Sequence, residues 1–130
     1  MVIRKGGMRF VILTSKYAIK FPLLTSMDSF LSGWLANDKE YQWTGCILSA
    51  RGKLPLCPVI WRSWLSFVIV MPRCLPVRNE RLFGVDLEGL CAIARRENNI
   101  AETFIRWDAH AGNFGYLNGR LVKIDYAKLD

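Results

Sequence analysis

Asn118-Gly119 stands between two apolar, β-forming stretches, 114–117 and 121–124. Asn and Gly both accept positive φ, as the two central positions of a type I′ turn require, and that turn's twist matches the twist of paired strands. The pair therefore predicts an antiparallel hairpin over 114–124 and excludes a helix there. The start of the chain has the same character. Residues 2–4 and 9–14 are rich in β formers and are separated by the turn signal Lys5-Gly6-Gly7. Ser15-Lys16 is a second tight turn, leading into a strand over 17–21 that Pro22 ends by removing a ladder donor.

Helices are expected at two places. Thr25 or Ser26 can cap one of them, with Asp28 in its first turn. Met27, Phe30, Leu31, Trp34 and Leu35 form its apolar stripe, and Glu40 lies near its end. The other covers 85–98, with Leu87, Leu90, Cys91 and Ala94 on one face and Arg95-Arg96 near the cation-favouring end. Between them, Pro55, Pro58, Pro72 and Pro76 punctuate the chain. Residues 59–61 and 65–71 read as strands joined by a turn at Arg62-Ser63. The second is nearly all apolar, which predicts a central strand buried on both faces. Residues 72–76 read as a connector, and 100–105 fit either helix or strand. The pattern predicts an α+β fold in one domain of two lobes, 1–75 and 76–130.

A chain of 130 residues with 52% hydrophobic and 22% charged residues is globular in composition and large enough for one modest core. The Trp residues fall on predicted strands and helices and are expected in that core. No apolar run approaches the roughly 20 residues of a spanning helix, and no leader is evident, so a cytosolic protein without a membrane role is expected. Cys46, Cys57, Cys74 and Cys91 form no C-x-x-C pair and have a single His to join them, which argues for buried free thiols over zinc or disulfides. The net charge of +7 suits phosphorylated ligands, an acidic protein or nucleic acid. Nucleic acid is the weakest of the three, because the basic residues are scattered and no binding signature is present.

The residues that carry chemistry lie late in the chain. Asp108 and Asn113 are separated by four residues on one loop, Asp108-Ala109-His110-Ala111-Gly112-Asn113. Asp125 then ends the strand that follows. Phosphoryl transfer uses such a set: one carboxylate to orient the attacking hydroxyl, and a carboxylate with an amide oxygen to hold magnesium on the phosphates. A strand lysine neutralises the remaining phosphate charge, and Lys20 in Tyr17-Ala18-Ile19-Lys20 fits.

In these residues the chain resembles the protein-kinase-like superfamily. Ala18-Ile19-Lys20 is similar to its strand-lysine motif, Asp108 to Asn113 to its catalytic-loop spacing, and Ile124-Asp125-Tyr126-Ala127 to an altered D-F-G. The D-A-H-A-G-N form is similar to loops of aminoglycoside phosphotransferases and small phage or bacterial kinases. The stretch 34–40 resembles the helix whose glutamate holds the lysine, and 65–76 the last sheet strand and hinge. The resemblance implies a minimal two-lobed kinase-like fold with an antiparallel sheet and helix in the N-lobe and a strongly reduced C-lobe. It implies that ATP and Mg2+ bind between the lobes. Asp108 would be the catalytic carboxylate, with His110 orienting its loop. Lys20 would contact the phosphates and be held by Glu40, or by the rival Asp38. Asn113 and Asp125 would hold magnesium, and Met71 and Arg73 would lie along the hinge that receives adenine. A protein is the expected acceptor. No G-x-G-x-x-G loop is present and Ala127 replaces glycine. The rival is therefore a kinase-shaped binding module in which Asp108 is vestigial.

Overall fold

The computed structural model describes residues 2–5, 9–49, 55–97, 102 and 105–126. They form a mixed α+β structure with antiparallel sheets, in two compact units. The first unit contains residues 2–49 and 58–73, the second residues 55–57 and 74–126. The division falls two residues before the expected one, and 55–57 belongs with the second unit.

The first unit is a five-stranded sheet in the order β1-β2-β3-β5-β4: β1 Val2–Lys5, β2 Arg9–Leu13, β3 Tyr17–Pro22, β4 Trp61–Arg62 and β5 Ile69–Pro72. Thr14 shapes the β2–β3 turn, its Oγ1 accepting the Tyr17 N–H at 2.9 Å. That turn sets Val11 opposite Lys20, and β3 in turn sets Lys20 opposite Ile69. Gly6 and Gly7, expected as the first turn, lie outside the described residues.

Helix α1, Met27–Ser49, is capped by Ser26, whose Oγ accepts the Ser29 N–H at 3.1 Å. It runs nine residues past Glu40, which is therefore central and not terminal. The helix is also rotated from expectation. Met27, Leu31 and Leu35 are exposed, and Ala36, Asn37, Glu40 and Thr44 are buried. The reason is that Asn37 and Glu40 find their partners on the sheet side, while Phe30 and Trp34 stack on Phe67 at 5.8 and 5.5 Å.

The middle strands also differ. β4 is Trp61–Arg62 in place of 59–61, and β5 begins at Ile69 in place of 65. Residues Trp64–Ser66 form a 3-10 turn in which Leu65 and Ser66 take positive φ, 55° and 62°. β5 lies between β3 and the two-residue β4. Ile69 and Met71 are buried, but Val70 on the opposite face is only half-buried. An apolar run alone does not distinguish such a turn from strand.

In the second unit, β6 Leu75–Pro76, β7 Phe114–Leu117 and β8 Arg120–Lys123 form a three-stranded sheet. Asn118 and Gly119 have φ of 53° and 79°, and Leu117 pairs with Arg120, as the type I′ hairpin requires. Residues 55–57 lie along β8, with Cys57 N–H on the Lys123 carbonyl and Lys123 N–H on that of Pro55, each at 2.8 Å. Helix α2, Glu80–Glu97, starts five residues earlier than its apolar periodicity suggested, because the Asn79 side chain accepts the Leu82 N–H at 3.0 Å. Its inner face packs Phe83, Cys91 and Ala94 against Ile105, Phe114 and Leu121. Within 100–105, Glu102 and Ile105 are described and both are helical. Cys57 and Cys91 are buried thiols and Cys74 is a half-buried one, its Sγ donating to the Cys57 Sγ at 3.4 Å; the Cys46 side chain lies outside the description. Among the described residues no helix is long and apolar enough to cross a membrane.

Two predictions follow from packing and charge. A Cβ at Gly115 would meet the Cys74 Cβ at 2.7 Å and the Leu75 carbonyl at 3.0 Å, whereas one at Gly89 meets nothing within 4 Å. In urea denaturation Gly115→Ala should cost about 1–3 kcal/mol, and Gly89→Ala, inside α2, should gain about 0.5–1 kcal/mol. Glu102 accepts from Arg95 at 2.6 Å and from Arg106 at 3.1 Å. Hydrogen bonds from Arg95 first and Arg106 second hold its carboxyl down from 4.5 to about 2. A depressed carboxyl stabilises the fold above its unfolded value. That contribution is present above pH 4.5 and lost as pH falls toward 2. Glu102→Gln should flatten the acid limb of stability against pH in that window.

Candidate functional site

Within the first unit, β2, β3 and α1 bring four polar side chains into one buried cluster. Glu40 is 0% exposed. Its Oε1 accepts from Lys20 Nζ at 3.0 Å and from Arg9 Nη1 at 2.7 Å, and Oε2 accepts from Arg9 Nη2 at 3.3 Å. Asn37, one turn earlier, accepts from Arg9 Nη1 at 3.2 Å and donates to the carbonyls of Lys20 at 3.3 Å and Phe67 at 3.0 Å. A carboxylate sealed from water requires such partners, since taking an ion out of water costs several kcal/mol. The partner of Lys20 is thus Glu40. Asp38 is engaged elsewhere, accepting from Gln42 at 2.8 Å and Ser66 at 3.2 Å.

Neither Arg9 nor Asn37 is conspicuous in the sequence. The signal for Arg9 was the β2–β3 turn. With Val11 opposite Lys20, period-two alternation puts Arg9 on the same face as the lysine. Met71 is buried in β5, opposite Ala18. Arg73, expected on the hinge, spends its backbone N–H on the Lys16 carbonyl at 2.9 Å and its guanidinium on the Thr14 carbonyl at 2.8 Å. That N–H is therefore not presented to a ligand.

The second unit gathers Asp108, His110 and Asn113 in one loop. Asp108 is exposed and has φ of 48°, a left-handed conformation that costs a non-glycine residue on the order of 1–3 kcal/mol. The Asn113 amide compensates, donating from Nδ2 to the Asp108 carbonyl at 2.9 Å and to its carboxylate at 3.0 Å. His110 N–H adds a bond to the same carbonyl at 3.1 Å, and its ring Nε2 stands 3.8 Å from Asp108 Oδ1. Asn113 N–H closes the turn on the His110 carbonyl at 2.9 Å, and the Asn113 carbonyl accepts the Ile124 N–H at 2.8 Å. That last bond places Asp125 one residue beyond Asn113's partner. Ala127 lies outside the described residues.

Among the described residues no group of three or more His, Cys, Asp or Glu side chains could hold a metal by themselves. The Asp125 carboxylate and the Asn113 amide oxygen are nonetheless hard donors of the kind magnesium takes. Magnesium typically keeps waters and binds through one or two carboxylates plus substrate phosphates. Lys123, unremarked in the sequence, is buried beneath Trp107, the residue before Asp108. The chain matches no family model, no curated protein and no solved structure.

Glu40→Ala should cost about 3–5 kcal/mol of stability, because it removes the carboxylate that Arg9 and Lys20 share while both cations stay buried. Asp38→Asn, which retains the shape and one of the two acceptor oxygens at a part-buried position, should cost about 1 kcal/mol or less. Chemical denaturation of the two variants checks the assignment. Equal losses would contradict it.

Proposed function

We propose that the protein is a small ATP-dependent phosphotransferase with a reduced kinase-like fold, acting on a protein hydroxyl. The observation that carries the proposal is the buried Lys20–Glu40 pair, joining the third strand to the helix that follows it. Protein kinases hold their phosphate-binding lysine through a helix glutamate in this way, because a fixed ammonium neutralises phosphate charge without reorganising. The order of the remaining parts agrees with it: strands, helix, strands, a D-x-x-x-x-N loop, then a hairpin that delivers Asp125.

In the proposed reaction Asp108 orients the acceptor hydroxyl and takes its proton. The hydroxyl oxygen bonds to the terminal phosphorus of ATP as the bond from that phosphorus to the ADP oxygen breaks. Lys20 neutralises the phosphates. Asn113 and Asp125 would hold magnesium, which supplies charge neutralisation on the phosphate oxygens when bound. The alternative is a kinase-shaped binding module without transfer. The exposed apolar side chains of the first unit, Met27, Leu31, Leu35 and Trp64, suit a protein partner under either reading.

Transfer from labelled ATP with magnesium, by purified protein with and without cell lysate, separates the two. Label on the protein itself or on a lysate protein, reduced about 10²–10⁴-fold in Asp108→Ala, is the expected result. Asp125→Ala should lose magnesium-dependent nucleotide binding as well. A folded protein that neither binds ATP with magnesium nor transfers phosphate would leave only the binding module.

A further inference from the structure

Lys123 is 1% exposed, in a strand whose neighbours Leu121 and Val122 are apolar and buried. Its Nζ donates to the Trp107 carbonyl and lies 4.9 Å from the centroid of the Trp107 ring and 5.8 Å from that of Phe114. An ammonium is costly to bury, and a carbonyl oxygen with two aromatic faces gives it acceptor density. The acceptor it uses has a particular place. The Trp107 carbonyl belongs to the peptide that leads into Asp108, whose φ is 48°. The peptide that leaves Asp108 is held separately, its carbonyl taking the Asn113 side chain at 2.9 Å and the His110 N–H at 3.1 Å. The two peptide planes flanking Asp108 are therefore each gripped, the first by Lys123 and the second by Asn113 and His110. The dihedral angles of Asp108 are the rotations between those planes.

We infer that Lys123 is a positioning residue: by holding the Trp107 carbonyl, its ammonium keeps Asp108 left-handed and its carboxylate in place for the acceptor hydroxyl. The effect on the loop stands on the geometry alone. The effect on turnover rests on the phosphotransfer reading. Lys123 is also the last residue of β8, two residues before Asp125, so the strand that holds the loop leads directly to the second carboxylate.

The test uses the full chain as wild type and as Lys123→Met, which keeps the unbranched apolar stem and removes the ammonium with its donors. Amide hydrogen exchange is followed at His110 and Asn113, with the hairpin amides of Gly115 and Val122, a hydrogen-bonded pair of the β7–β8 ladder, as internal reference. Loop amides about 10-fold faster or more in the variant, with the reference amides unchanged, are expected. With ATP, magnesium and an acceptor, kcat should fall about 10²-fold while the KM for ATP stays within about twofold. Adding Lys123→Met to Asp108→Ala should then give no further loss. Unchanged loop exchange overturns the inference, as does equal acceleration of loop and hairpin, or a raised KM at constant kcat. Should the variant not fold, wild type decides by itself: slowly exchanging Lys123 Nζ protons with cross-peaks to Trp107 support the clamp, and their absence overturns it. A wild-type protein that transfers no phosphate overturns the role in turnover and the phosphotransfer reading together, while the exchange data still decide whether Lys123 holds the loop.

Discussion

A single carboxylate, Glu40, dictates how the first unit is put together. It is sealed from water and shared by Arg9 and Lys20, so three elements have to meet at one point. The β2–β3 register must place Arg9 and Lys20 on the same face, and a slip of one residue would turn both away. Helix α1 must be rotated so that Asn37 and Glu40 point inward. This rotation overrides its hydrophobic pattern and leaves Met27, Leu31 and Leu35 outside. Buried ion pairs contribute little net stability compared with apolar packing, because desolvation offsets the attraction. What this cluster adds is geometric definition: the lysine ammonium has one position, set by a carboxylate that is itself held at both oxygens.

The second unit solves a related problem with backbone groups. Asp108 occupies a conformation that non-glycine residues rarely adopt, and neighbours hold it there. Asn113 contributes through its side-chain amide, its N–H and its carbonyl, and so links the loop to Ile124, the residue before Asp125 and just past the end of β8. Gly115 allows β7 to pass against Cys74 and Leu75 at a distance a side chain would not permit. The loop is thus held by local hydrogen bonds, and the β7–β8 hairpin leads from it to Asp125.

Much of this was legible in the residues. The Asn118-Gly119 turn, strands β1 to β3, the inner face of α2 and the D-x-x-x-x-N spacing are local signals, each contained within a few residues of chain. The misjudged parts depended on distant partners. The apolar run 65–71 became a 3-10 turn followed by a short strand, because its pairing is fixed by β3, some fifty residues earlier in the chain. The face of α1 was misassigned because polar residues can be buried when counterions await them. Arg9 and Lys123 were passed over because a basic residue in a strand is ordinarily solvated.

The sequence by itself therefore determined the α+β class, the tight turns of the β2–β3 and β7–β8 hairpins, and the D-x-x-x-x-N spacing. Those depend on short-range sterics and on periodicity, which the chain carries with it. Only the tertiary structure decided that Lys20 pairs with Glu40 and not Asp38, that Arg9 completes the cluster, and that Lys123 lies beneath the Asp108 loop. These are long-range choices, made by the requirement that every charge removed from water finds an opposite charge or a hydrogen-bonding group within reach.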